Sequence, residues 1–563
     1  MRKFYFIAFI CFFSSVLNAE TRPYWIFFSD RGEVNVENAV SAKIVSPTEP
    51  KSTSRRARLY GERIFDEKDV PVNPDYIKYV TDIVGGIRTV SRYFNGVSVD
   101  IDEDVLEQVR SLPFVSGIQP VNVFTRPKEP APSKTPPSEK PSMKYALSYG
   151  NSYGQLSMTG IPELHEAGYM GNGITIAVLD SGFDNLGHAA FDGTHISHKR
   201  DFVDGDDDPE GDDHGTEVLS VMAALDPDVM IGAAPYARYL LARTEIVEGN
   251  VELRIEEDHF IAGIEWADSL GADIVHSSLG YTTFDDGTGY AKSDLDGNTA
   301  LTTIAADIAV SRGMVVVTSA GNEGDESWYT ITTPADGDSV FAVGAVGSDK
   351  EISSFSSRGP SYDGRVKPDF VALGEYVWVA TAGGSRTYRF VNGTSYSAPL
   401  VSGGIALILE VNPEWTFQTL RSELIATADD LGIAGPDSLY GYGLFDALAA
   451  SGFEPPVTEV SRFRVHDPYS QPISFGESND RLYFPVDIPV EGLTLTIRIF
   501  SFNGENIQII DYVKDSGNQR TRDKAPSWDG KNFIGEYVGS GIYYYTISLF
   551  GYGRHMGKIA VIR

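Results

Sequence analysis

Three apolar runs in the middle of the chain constrain its fold more than any other feature. Residues 174–179 (ITIAVL), 314–317 (MVVV) and 341–346 (FAVGAV) are apolar almost throughout, with Thr175 the one hydroxyl, as strands are when both faces of their sheet are covered. Helical stretches at 260–270 and 395–411 alternate with them. Strands and helices in alternation predict an α/β block over about residues 143–452, with a mostly parallel sheet between helices.

At 563 residues the chain is too long for one ordinary domain. Residues 1–19 have a charged start (Arg2, Lys3), a short apolar stretch and a small-residue end at Ala19, the pattern of a cleaved signal peptide. Residues 20–126 read as a small α+β unit. Within it, 87–101 (IRTVSRYFNGVSVDI) alternates on both sides of Asn95-Gly96 and predicts a hairpin. Val105, Leu106, Val109 and Leu112 then follow a helical period up to Pro113. Residues 127–142 carry six prolines among charged and small residues, an extended linker open to proteolysis. The last block, 453–563, is rich in Tyr, Ile and Gly in short alternating runs and reads as all-β.

Composition excludes several functions. The single cysteine is Cys11, inside the leader, so the rest of the chain has no thiol for catalysis, metal binding or a disulfide. A net charge of −32 disfavours nucleic acid and anionic membranes as partners. Past the leader, no stretch approaches the ~20 apolar residues of a membrane span.

Four segments of the α/β block carry chemistry. Strand 174–179 ends at Asp180-Ser181-Gly182, and carboxyl ends of parallel strands are where catalytic groups gather. Asp213-His214-Gly215-Thr216 opens a helix and offers an imidazole suited to proton transfer near neutral pH. Asn392-Gly393-Thr394-Ser395 opens another, whose N-terminal N–H groups favour an anion beside Ser395. Each also has a plain reading: a loop-capping Asp, a surface His in an acidic loop, a serine N-cap. The strand 315–319 leaves through Ala320-Gly321 into Asn322, whose amide can donate to the same oxyanion.

Together these segments resemble the subtilisin-like serine peptidases, in the family's chain order of Asp, His, Ser. Gly232-Ala233-Ala234-Pro235, Ser278-Leu279-Gly280, Phe355-Ser356-Ser357-Arg358-Gly359-Pro360 and Lys367-Pro368-Asp369 add to the resemblance, which spans about residues 150–450. It implies a three-layer subtilisin-like domain and a serine endopeptidase acting through an acyl-enzyme. Ser395 is then the nucleophile, His214 the general base and acid, Asp180 the orienting carboxylate and Asn322 an oxyanion donor. Ser278, Leu279 and Gly280 would pair with the substrate chain. The glutamate of the related sedolisins is replaced here by His214. Departures are Glu217 where a second His is frequent, Tyr396, Ser397 and Leu400 after the nucleophile, and His276 where Asn is common. Glu217, three residues past His214, is expected to raise the imidazole pKa, and Glu323 points to basic or polar side chains in the first pocket.

The resemblance extends to the flanks. Residues 20–126 resemble the family's propeptides, which assist folding and cap the cleft as an intramolecular inhibitor; the rival reading is a permanent N-terminal domain. The C-terminal block, with Trp528 and Tyr543-Tyr544-Tyr545, resembles Ig-like hook-capping and type IX secretion sorting domains. It implies a bacterial protein, secreted or on the cell surface, with the secretion machinery as a partner and proteins or peptides as substrates. No cofactor is expected for catalysis. A structural calcium is expected at Asp204, Asp206, Asp207, Asp208, Glu210 and Asp212, or at Asp294, Asp296 and Asn298, because calcium takes hard oxygen ligands. The rival function is a catalytically inactive subtilase-fold surface binding protein.

Overall fold

A computed structural model describes residues 21–46, 49–121, 147–247, 255–282, 289–453 and most of 464–563. The leader and the proline-rich linker lie outside the described residues.

The apolar runs form one seven-stranded sheet. Its order is Phe370–Leu373, Phe341–Val346, Val315–Ser319, Ile274–Ser277, Thr175–Asp180, Arg238–Arg243 and His195–Asp201, with every neighbouring pair parallel. The central strands are buried along their whole length, which is why they read as unbroken apolar runs instead of alternating ones. Helices His214–Ala223, Glu256–Ser269, Leu301–Ser311 and Thr394–Val411 pack against the sheet. By length and composition Thr394–Val411 could cross a membrane, but it is mostly buried as a core helix of this block.

The N-terminal unit is a four-stranded antiparallel sheet in the order Thr89–Ser91, Gly96–Ile101, Arg22–Phe28, Val115–Pro120. The expected hairpin is present, with Val90 opposite Val97 and Asn95 at φ 49° in its turn. The expected helix runs Glu103–Arg110. A further helix, Pro50–Tyr60, escaped the sequence reading because it is polar and its buried positions are Ser52, Arg55 and Arg56.

Those arginines explain how the unit docks. Trp25, Tyr93 and Val121 enter the apolar core of the large block. Around them, Asp268 at the end of helix Glu256–Ser269 receives Arg55 and Arg56 at 2.6 Å each, Arg92 at 3.1 Å and the Tyr93 hydroxyl at 2.9 Å. Arg56 also meets Asp69 at 2.7 Å, and Asp69 meets Arg312 at 3.0 Å. Asp258 takes Arg88 at 3.1 Å and Ser98 at 2.6 Å. Asp268, Asp258, Asp69 and Arg56 are wholly buried, so each charge depends on its partners.

The C-terminal block is all-β, as expected. Its main sheet runs Ile473–Ser474, Gly553–Ile562, Gly541–Leu549, Thr494–Phe500, Asn506–Val513. Trp528 is 1% exposed and joins Leu482, Phe484 and Tyr545 in a separate apolar core, so it serves packing.

Candidate active site

Asp180 is the last residue of its strand, Ser278 follows Ile274–Ser277, and Asn322 lies just past Val315–Ser319. All three sit at carboxyl ends of the sheet. Helix His214–Ala223 brings His214 to Asp180, and Nδ1 lies 2.6 Å from Asp180 Oδ1. The same Oδ1 accepts from the Ser181 N–H at 2.8 Å. The helix can come this close because residue 215 is glycine. A Cβ there would stand 2.3 Å from the Gly182 carbonyl oxygen and 2.9 Å from the Asp180 Cβ. The His214-Gly215 pair is therefore a packing requirement of the Asp–His contact. The bond to a carboxylate assigns the proton to Nδ1 and leaves Nε2 as the basic nitrogen.

Ser395 lies in the first turn of Thr394–Val411, where backbone N–H groups lack intrahelical acceptors. It is not the cap. Gly393 occupies that position, at φ 150° and with no side-chain capping bond, so the serine N-cap reading is set aside. Tyr396, the next residue, places its ring centroid 5.9 Å from that of His214. Asn322 is 7% exposed, and its Oδ1 accepts from both the N–H and the Oγ1 of Thr394, each at 2.9 Å. With the carbonyl committed, the amide orientation is set and Nδ2 is the group left to donate.

Below the serine runs a polar chain. Ser278 Oγ donates to the Ser395 carbonyl at 2.8 Å. Its oxygen therefore accepts from His276 Nε2, 2.9 Å away, and His276 Nδ1 accepts from Ser402 Oγ at 2.9 Å. Burial pushes the His276 imidazole down to about 3, so the ring is neutral, as this pattern requires. His276 was visible as a departure from the family pattern; Ser402, one serine inside an apolar helix, gave no signal. Leu279 and Gly280 continue the Ser278 segment, and Tyr281 pairs through its backbone with Thr333. A Cβ at Gly280 would meet Thr332 Oγ1 at 2.3 Å.

Glu217 is buried beside this site. Its carboxylate meets Arg389 at 2.7 Å and accepts from the Tyr396 hydroxyl at 2.9 Å. Burial raises its pKa, against the opposing pull of Arg389 and Tyr396. The expected effect of Glu217 on the imidazole is thus tempered by a cation that the sequence reading did not find. Arg389 sits on the short strand Tyr388–Val391, just ahead of the Asn392–Ser395 segment, and nothing in the sequence ties it to Glu217.

Several side chains of the two acidic loops have protein partners. Asp201 and Asp204 pair with Arg243 at 2.8 and 2.9 Å, Asp207 with Arg200 at 3.3 Å, and Asp206 Oδ1 takes the Asp208 N–H. Asp212 accepts from Ser181, Asp294 from the Ala291 N–H, and Asp296 from Asn298 and Thr299. Among the described residues no group of three or more His, Cys, Asp or Glu side chains could hold a metal ion.

Comparison with known proteins shows the family. Residues 171–443 match the Subtilase family, and residues 23–136 match the Peptidase S8 propeptide domain of Bacteroidota. Subtilisin E of Bacillus subtilis (strain 168) is 32% identical over 371 residues, covering 65% of this chain and 83% of that protein. Subtilisin of Bacillus pumilus is 36% identical over 300 residues, 53% of this chain and 97% of that one, and subtilisin BL of Lederbergia lenta is 32% identical over 298 residues, with the same shares. The chain belongs to the subtilase family and is a serine-type endopeptidase of the subtilisin type with an N-terminal propeptide. The propeptide match reaches residue 136, past the boundary at 126 set from composition and into the proline-rich stretch.

Proposed function

We propose that this protein is an exported endopeptidase in which Ser395 attacks the scissile carbonyl, His214 takes and returns the proton, and Asp180 orients and stabilises the imidazole. The buried 2.6 Å contact between His214 Nδ1 and Asp180 Oδ1 carries the reading. It leaves Nε2 as the acceptor for the serine proton. Asn322 Nδ2 and the Ser395 N–H would stabilise the oxyanion, because Thr394 already occupies the Asn322 carbonyl. Ser278, Leu279 and Gly280 would pair with the substrate backbone, and Glu323, half-buried beside Asn322, would bias the first pocket toward basic or polar side chains.

The docked N-terminal unit acts as the intramolecular inhibitor until the enzyme cuts within 126–148. The C-terminal β-block, in this reading an Ig-like sorting domain, delivers the enzyme to the bacterial secretion machinery. Labelling with a fluorophosphonate tests the chemistry. The protein should react, and Ser395→Ala should abolish labelling and lower turnover by about 10⁶, the loss known for a triad serine in subtilisin itself. Turnover retained in Ser395→Ala would refute the assignment.

A further inference from the structure

We propose that Glu217 and Tyr396 form a positioning brace that sets the plane of the His214 ring against Ser395; this rests on the triad reading above. Glu217 lies one turn beyond His214 on the same helix and is 1% exposed. Its Oε2 accepts from the Tyr396 hydroxyl at 2.9 Å, and its Oε1 lies 2.7 Å from Arg389. Tyr396 follows Ser395 directly, is 2% exposed, and lies against the imidazole at an interplanar angle of 54°. One carboxylate therefore joins the helix carrying His214, the helix carrying Ser395 and the strand Tyr388–Val391.

The geometry shows what such a brace would supply. The bond from Nδ1 to Asp180 fixes one nitrogen, but the ring can still tilt about that bond and swing Nε2 away from the serine. The Tyr396 ring blocks the tilt on one side, provided that it is held itself. Its hydroxyl bond to Glu217 holds it, and because Glu217 rides on the His214 helix, the stop moves with the ring that it limits. A misplacement of about 1 Å between reacting groups costs on the order of 10²-fold in rate. Burying a carboxylate is unfavourable unless it is paired, and here the charge partner Arg389 is more than half exposed. The groups facing the carboxylate are Arg389, Tyr396 and, from the start of its own helix, Asp213.

The test compares Tyr396→Phe, Glu217→Gln and the double variant with the full-length protein after self-processing. Active sites are counted by fluorophosphonate titration, and folding is checked by melting temperature. Tyr396→Phe removes one oxygen and no charge. It should lower kcat by about tenfold, leave KM within about twofold and leave the acid limb of the kcat/KM profile in place. Glu217→Gln should lower kcat similarly and move that limb down by about half a unit, since Arg389 then disfavours the imidazolium. The double variant should be no slower than the slower single variant, because in Glu217→Gln the one remaining carbonyl oxygen is shared between Arg389 and the Tyr396 hydroxyl, so both changes weaken one link. Wild-type kcat in Tyr396→Phe, or effects that multiply in the double variant, would overturn the brace. Should Glu217→Gln fail to fold, Tyr396→Phe still decides by its kcat alone. Failure of the triad reading looks different: Ser395→Ala would then keep its labelling and turnover, whatever the brace variants do.

Discussion

Replacing Asp268 by Asn should loosen the N-terminal unit from the peptidase block. The substitution keeps the shape and removes one buried charge. Asp268 is the common acceptor for Arg55, Arg56, Arg92 and the Tyr93 hydroxyl, at 2.6, 2.6, 3.1 and 2.9 Å. Burial alone would raise its pKa, but the three guanidinium groups outweigh that and hold it at about 2. With Asn, one oxygen can still accept, while the new NH2 group faces guanidinium donors. Arg56 keeps Asp69 and Arg92 keeps Glu265, but Arg55 loses its carboxylate partner while 3% exposed. Breaking a buried pair from one side costs about 3–5 kcal/mol. The lower figure corresponds to roughly a 150-fold more frequent opening of the docked state. The assay is amide hydrogen exchange on the uncut chain carrying Ser395→Ala. Protection of helix Pro50–Tyr60 should fall by about two orders of magnitude, while strand Ile274–Ser277, deep in the sheet, should not change. If the helix keeps its protection within about threefold, the charge argument for docking is wrong.

Asn322→Ala should lower kcat by about 10²–10³ with little change in KM, read by steady-state kinetics on a peptide substrate. Docking of the N-terminal unit should depend on pH in two opposed ways, followed by exchange or proteolysis of the uncut chain. Asp268, held low by its arginines, contributes above about pH 4 and loses that contribution as the pH falls through about 2. Asp258 is raised to about 6, by burial above all, so its contribution is full below about pH 4 and is lost as the pH rises from there through 6; protection should peak near pH 4. Trp528→Ala should destabilise the C-terminal block by about 3–5 kcal/mol, as a separate thermal transition, while leaving kcat unchanged.

The sheet was legible because its strands are buried on both faces, so apolarity alone marked 174–179 and 341–346. The Asp, His, Ser and Asn positions were legible because each lies at the junction of an apolar strand or helix with glycine, where sequence punctuates structure. Helix Pro50–Tyr60 was not legible, since its buried face is made of Arg55, Arg56 and Ser52, and hydrophobic periodicity is blind to a face that is neutralised by another domain. Arg389 and Ser402 were invisible for a related reason. Their roles come from residues far away in sequence, Glu217 and His276, that neither neighbours nor spacing connect to them. The acidic stretch 204–212 shows the same blindness. Local charge density points to an ion there and gives no sign that Arg243, on a neighbouring strand, pairs with Asp201 and Asp204.

The polar chain from Ser402 through His276 and Ser278 to the Ser395 carbonyl has a direction. A carbonyl can only accept, so each link upstream has one admissible arrangement of its proton, and the imidazole has one admissible tautomer. A chain anchored in this way behaves like a sentence with fixed word order: no member can be exchanged for another that speaks in the reverse sense. A residue that only donates would serve at 402 but not at 276, and one that only accepts would serve at neither. The floor beneath the serine is thus already committed before any peptide arrives, and substitutions at His276 and Ser402 should be tolerated together sooner than alone.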